Sequence, residues 1–238
     1  MTIVVPRLSR LPVEQRGITL ADFLVPIRLG ERVGPRVRHL GLIVAGALLI
    51  ALTAQLTIVQ EGQTIPIVAD FRIKLASSPV PITGQTFGVL LVGGALGLRR
   101  GVSSVGLYVL MGLLLPVYAG GGSGLDTFVS RQDGTFVLGA TGGYLIGFLA
   151  AGAITGRLAE MGWDRNFPGA IAAMLLGNIG IYLVGVPWLA IAVGVDLPTA
   201  IAFGLAPFIV VDAIKLLAAA GTFRAAWWII GRRPEGEA

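Results

Sequence analysis

The chain has 238 residues, with 18 Lys plus Arg, 13 Asp plus Glu, one His and no Cys; 55% of it is hydrophobic and 13% charged. An ordinary soluble domain is about a quarter charged, so a water-soluble globule is excluded and lipid is the solvent that fits. Without Cys there are no disulfides, thiolate metal sites or Cys nucleophiles, and a single His cannot build a multi-histidine cage.

The first 38 residues carry seven Arg and three acids with no apolar run of signal-peptide length beside the start. Residues 1–38 are therefore expected to be a basic cytoplasmic arm, either with its Arg side chains on anionic lipid or as a tail with no role beyond orientation. Uncharged runs follow at 40–60, 75–98, 101–125, 134–156 and 166–195, each reaching the roughly 20 residues that cross a bilayer. A sixth run, 197–223, is interrupted by Asp212 and Lys215. The sequence predicts an all-α, polytopic membrane protein with six transmembrane helices over 39–225 and a basic tail at 226–238. Fourteen of the 18 basic residues then fall on one side, three fall on the other, and Lys215 lies within a span. The positive-inside rule puts both termini in the cytoplasm of a multi-pass cell-membrane protein.

In the first run, Ala47 and Ala51, with Gly41 and Ala45 nearby, have the small-xxx-small spacing that lets another helix approach closely. Pro79 and Pro81 make the start of the second run irregular and predict a helix beginning near Thr83. The run GGGSG (120–124) lacks the Lys-Ser/Thr ending of a phosphate loop, so it is read as a lid over a cavity or a plain connector, not a nucleotide site. Tyr144 opens the fourth helix in TGGYLIGF (141–148), where Gly142 and Gly143 let the chain turn tightly and leave amides free; a membrane-interface belt is its alternative role. Asn178 and Tyr182 are four apart and share a helix face, as ligand contacts or as interhelical hydrogen-bonding groups.

Asp212 and Lys215 are three apart and project from one face. Charges within a span cost several kcal/mol on insertion scales and normally face protein or water, so the pair is either a self-neutralising structural ion pair or a polar patch for a zwitterionic, anionic or hydrogen-bonding solute. Pro207, just before it, opens the backbone ladder. Enzymatic readings lack parts: Ser123 and the sole His39 lie at opposite ends of the membrane, and no span holds paired carboxylates.

Several ordered motifs carry a family resemblance: PVPITGQTF (79–87), the Gly- and Leu-rich run 88–121, TGGYLIGF, GNIGIYLVGVPW (177–188) and PFIVVDAIK (207–215). Over roughly 40–221 the sequence resembles the BioY family, the biotin-binding S components of energy-coupling-factor transporters. The resemblance implies the six-helix S-component fold and capture of biotin from the outer face, with the loops after the first and third helices closing the cavity. It places substrate contacts on Asp212, Lys215, Asn178, Tyr144, Thr83, Gln85, Gly142 and Gly143. It also implies docking through Ala47 and Ala51 to a membrane T component served by two cytoplasmic ATPases, or else transport alone or by self-association. Neither a cofactor nor nucleic acid is implied, and biotin is cargo. A different vitamin, such as thiamine or riboflavin, and a non-transporting scaffold are the alternatives. The sequence departs from the family at Ala140, where a proline is expected, and at Val211, where glycine is common.

Overall fold

The structure, a computed structural model, describes residues 19–24, 34–59, 78–132 and 134–230. The rest of the N-terminal arm, most of the loop after the first span, and the tail from 231 lie outside the described residues.

The helices, in chain order, are α1 (Leu20–Leu24), α2 (Pro35–Ala54), α3 (Gln85–Leu114), α4 (Gly142–Glu160), α5 (Phe167–Val193), α6 (Leu197–Gly204) and α7 (Ile209–Ile230). Two short antiparallel ladders join them: β1 (Thr57–Val59) with β2 (Ile82–Thr83), and β3 (Val129–Gln132) with β4 (Thr135–Leu138). Five helical stretches are long and apolar enough to span a bilayer, among them Gln85–Gly121 and Leu197–Ile230. The count becomes six because α3 reverses. Gly97 has φ 80 and ψ 179, which only glycine adopts readily. A Cβ on Gly101 would lie 3.0 Å from the Gly93 Cα, whereas residues eight apart in one straight helix are about 12 Å apart. The arms 85–96 and 98–114 are thus two antiparallel helices meeting at Gly97.

Backbone-to-backbone packing explains the glycine content. A Cβ on Gly93 would meet the Thr155 hydroxyl at 2.2 Å, and one on Gly156 would meet the Gly97 carbonyl carbon at 2.6 Å, so α3 and α4 touch through small residues. On α2, residues 46, 47, 50, 51 and 54 form one buried face, and a Cβ on Gly46 would come within 2.6 Å of the Ser104 hydroxyl on the second arm of α3. Leu40, Leu48 and Leu52 on α2, Leu183 and Ile191 on α5, and Ile214 on α7 are exposed, an apolar coat suited to lipid. The chain is a multi-pass membrane protein.

This packing buries Ala47 and Ala51 within the chain. They are 0% and 8% exposed and face α3, so the small pair tightens the bundle itself, while Gly41 and Ala45 face outward. The uncharged runs also overshoot the helices: α3 ends at Leu114 before Pro116, and 134–138 belong to a hairpin and not to a span.

Thr19–Leu24 also packs onto the bundle. Leu20 and Ala21 are buried, and Asp22 accepts from Arg100 at 2.9 and 2.7 Å and from Arg38 at 3.0 Å. Burial opposes the charge, but the Arg100 guanidinium and the Thr19 backbone N–H and hydroxyl hold the Asp22 carboxyl well below the usual carboxylate range.

Candidate functional site

The last span is broken, as Pro207 requires. α6 ends at Gly204, a 3-10 turn covers Ala206–Phe208, and α7 starts at Ile209. The Phe208 N–H bonds to the Leu205 carbonyl at 2.9 Å, which frees the carbonyl of Gly204; the Tyr144 hydroxyl donates to it at 2.8 Å. The break also puts Asp212 in the first turn of α7, where the helix dipole favours a negative charge.

Asp212 and Lys215 are 3% and 8% exposed and form an ion pair, Nζ to Oδ1 3.1 Å. Lys215 donates a second hydrogen bond to the Thr86 hydroxyl at 2.9 Å. On the other carboxylate oxygen, Asn178 donates through Nδ2 at 3.0 Å, and Tyr182 donates through its hydroxyl. The spacing of Asn178 and Tyr182 therefore does what it predicted, bringing both to one face, but that face meets Asp212. Both oxygens of Asp212 are engaged by the protein's own donors. An isolated charge here would be prohibitive, and the paired, hydrogen-bonded carboxylate is the form that survives burial.

Beside this network lies a cavity of about 190 Å³, larger than the ~150 Å³ apolar cavity that takes up a benzene ring. Lys215, Tyr182 and Tyr144 reach it, with Phe208, Phe148, Leu145 and Ile181 supplying apolar wall. Tyr182 stands edge-on between Tyr144 and Phe208, at centroid distances of 6.2 and 6.5 Å. Val80, Pro81, Thr83, Gln85 and Thr86 line it as well, with Tyr118, Ala119, Gly122, Thr127 and Thr141. Thr83 donates to Gln85 Oε1 at 3.1 Å and accepts the Gln85 backbone N–H at 3.2 Å, while the Gln85 side-chain amide donates to Tyr108. These bonds fix both side chains at the start of α3.

Of the candidate residues, Lys215, Tyr144, Thr83 and Gln85 thus meet at the cavity wall. Asp212 and Asn178 stand behind Lys215 and Tyr182. Gly142 and Gly143 are placed elsewhere, against the Trp188 ring, whose Nε1 donates to the Gly139 carbonyl at 2.8 Å; a Cβ on Gly143 would come within 2.2 Å of Trp188. Thr86, Phe208 and Tyr118 were not singled out from the sequence. Thr86 follows Gln85 in a motif already noted, but only folding shows that it meets a lysine 129 residues away. Among the described residues no group of three or more His, Cys, Asp or Glu could hold a metal ion.

A lysine ammonium has three donors, and two of those of Lys215 are taken by Thr86 and Asp212. The third is available to a ligand. Tyr182 and Tyr144 spend their protons on Asp212 and Gly204, so each phenol oxygen can offer a lone pair to the cavity. One cationic donor, several neutral acceptors and an apolar, aromatic remainder suit a small ligand with an N–H, a carbonyl or carboxylate, and a hydrophobic body.

The comparisons with known proteins bear on the same region. The biotin transporter BioY of Rhizobium etli is 35% identical over 62% of this chain and 78% of its own length. That of Thermotoga maritima is 37% identical over 65% of this chain and 85% of its own. The crystal structure of the S-component for biotin from an ECF-type ABC transporter superposes with a TM-score of 0.63, at 28% identity over 80% of this chain and 91% of that one. The model of the BioY family matches residues 65–232, and the chain belongs to that family.

Proposed function

We propose that this chain is a transport protein, not an enzyme, that captures biotin from the outer face of the cell membrane and delivers it inward as an S component. The observation that carries the reading is the buried Asp212–Lys215 pair presenting one ammonium donor to an aromatic-walled cavity. Biotin offers a ureido ring with two N–H donors and a carbonyl, an apolar thioether ring and a carboxylate-ended acyl tail. Lys215 donates to a carbonyl or carboxylate oxygen of the ligand, and Tyr182 or Tyr144 accepts a ureido N–H. Asp212 and Asn178 hold those groups in place, and Thr83 and Gln85 form the opposing polar edge. Gly142 and Gly143 act by seating Trp188.

The fourteen-to-three distribution of basic residues supports cytoplasmic termini and a cavity mouth that faces outward. On this reading 39–225 are the ligand-binding domain, and 1–38 and 226–238 are cytoplasmic ends. The sequence carries no ATP-binding signature, so energised uptake needs a T component with two cytoplasmic ATPases; self-association in the bilayer is the other route. Calorimetry on the purified full chain tests the ligand. Biotin should bind, and thiamine and riboflavin should not; uptake of either of these in place of biotin would overturn the reading.

A further inference from the structure

Two segments that contribute to the cavity lining, β2 and the stretch 115–124, meet the end of α2: the Gly84 N–H bonds to the Leu56 carbonyl at 2.9 Å, and the other segment reaches the Gln55 side chain. Gln55 caps that helix: its backbone N–H bonds to the Leu52 carbonyl at 3.1 Å, and the Leu56 N–H to the Thr53 carbonyl at 3.3 Å. Two residues on, Thr57 pairs with Thr83 of the cavity wall. The Gln55 side-chain amide Nε2 lies 3.2 Å from the Val117 carbonyl and 3.1 Å from the Tyr118 carbonyl, bridging 62 and 63 residues of chain, and 3.3 Å from the Ala51 carbonyl of its own helix; its two N–H groups are shared among the three.

Tyr118 is 3% exposed and forms part of the cavity wall. Its hydroxyl donates to the Val109 carbonyl at 2.6 Å, and its ring lies on Gly112, where a Cβ would come within 2.0 Å. The side chain of Tyr118 is therefore fixed by α3, whereas its backbone is tied to α2 by Gln55. The 115–124 segment contributes Tyr118, Ala119 and Gly122 to the cavity lining, so lifting it opens that wall and breaks the Gln55 contacts.

We propose that Gln55 is a positioning residue for ligand capture: its amide fastens the 115–124 segment to the end of the first membrane helix and so sets how long a ligand stays in the cavity. The proposal rests on the biotin reading for the identity of that ligand. The contacts exist in the closed arrangement and must break for the mouth to open, so they slow exit without slowing entry.

The test uses the full chain in nanodiscs with labelled biotin. Gln55→Leu should release biotin roughly fivefold faster, the scale of one net hydrogen bond, with no fall in the association rate. Gln55→Arg, which restores N–H donors at that place, should return the dissociation rate towards wild type. A ligand-free arm exploits the absence of Cys: in a Thr83→Cys background the sole thiol is buried in the lining of the cavity that Tyr118 also walls, and maleimide should label it faster when Gln55→Leu is added. Unchanged dissociation together with unchanged labelling overturns the proposal, as does a Gln55→Arg chain that behaves like Gln55→Leu. A wild-type chain that takes up no biotin overturns the ligand reading alone, and the labelling arm then decides the role of Gln55.

Discussion

Asn178 on α5 and Asp212 on α7 are joined at 3.0 Å, amide Nδ2 to carboxylate Oδ2, and the amide oxygen of Asn178 is buried with no hydrogen-bond partner among the described residues. With Tyr182 on the same oxygen and Lys215 on the other, Asp212 is the hub that orients three side chains. Asp212→Asn keeps the shape but leaves the Lys215 cation buried beside a neutral amide, and it sets an NH2 against donors. Biotin affinity should fall by about 2–4 kcal/mol, the scale of truncating a buried, hydrogen-bonded charge pair. Calorimetry beside a size-exclusion profile checks it. Near-wild-type affinity in Asp212→Asn combined with Lys215→Ala would remove the pair from the site.

Tyr182→Phe separates ring from hydroxyl. The ring would keep its edge-on contacts with Tyr144 and Phe208, but Asp212 would lose a donor and the cavity an acceptor. A hydrogen bond to a charged group contributes about 1.5–3 kcal/mol, so affinity should drop by roughly that amount with the fold intact. An isotherm that superimposes on wild type would show that the phenol oxygen does not serve the ligand.

How much of the fold and the site is legible in the sequence depends on the range of the physics involved. Spans follow from local hydropathy, and the i,i+3 pair Asp212–Lys215 and the i,i+4 pair Asn178–Tyr182 follow from helical periodicity; both pairs lie on single faces as expected. The direction in which a face points is set by packing across helices. Ala47 and Ala51 read as an outward contact because their spacing suits any close neighbour, and only the geometry shows that the neighbour is α3. Similarly, Gly142 and Gly143 read as free amides, yet the bulk that fills their space is Trp188, more than 40 residues along the chain. Gln55 carried no sequence signal, since a lone amide near a span end is ordinary, and Thr86 lies inside PVPITGQTF without anything local that ties it to Lys215.

The reversal at Gly97 should be intolerant of a side chain. Gly97→Ala forces an alanine to φ 80 and ψ 179, costing about 1–3 kcal/mol, and places its Cβ 2.7 Å from Thr19 Cγ2 and 2.9 Å from Glu160 Oε1. Gly34 has a similar backbone, φ 83 and ψ 144, but among the described residues a Cβ there would meet nothing within 4 Å. Gly34→Ala should therefore lower the melting temperature less than Gly97→Ala. Equal losses would mean that the contact with Thr19 and Glu160 adds nothing.

Asp164 gives a stability prediction with a definite sign. It lies in the turn Trp163–Arg165 between α4 and α5, is 2% exposed, and accepts from the Trp227 indole N–H at 2.8 Å; Arg165 stacks 4.9 Å from the centre of the same indole. Burial pushes its carboxyl up to about 6 from 3.8, against the lowering effects of the Trp227 hydrogen bond and the Arg165 charge. The folded state therefore binds the proton more tightly than the unfolded chain. The resulting stabilisation is fully present below the unfolded value and is lost as the pH rises through about 6. Its full size is on the order of 3 kcal/mol. Asp164→Asn keeps an acceptor for Trp227 and is neutral at every pH, so it should be more stable than wild type near neutrality, with the gap closing on acidification. Melting curves of both proteins from about pH 4.5 to about pH 7.5 measure that gap. Asp22 does not interfere, because its depressed carboxyl loses its contribution only below the ordinary carboxylate range and is common to both proteins. A gap in melting temperature that stays constant across the series would show that Asp164 is ionised in the folded state throughout.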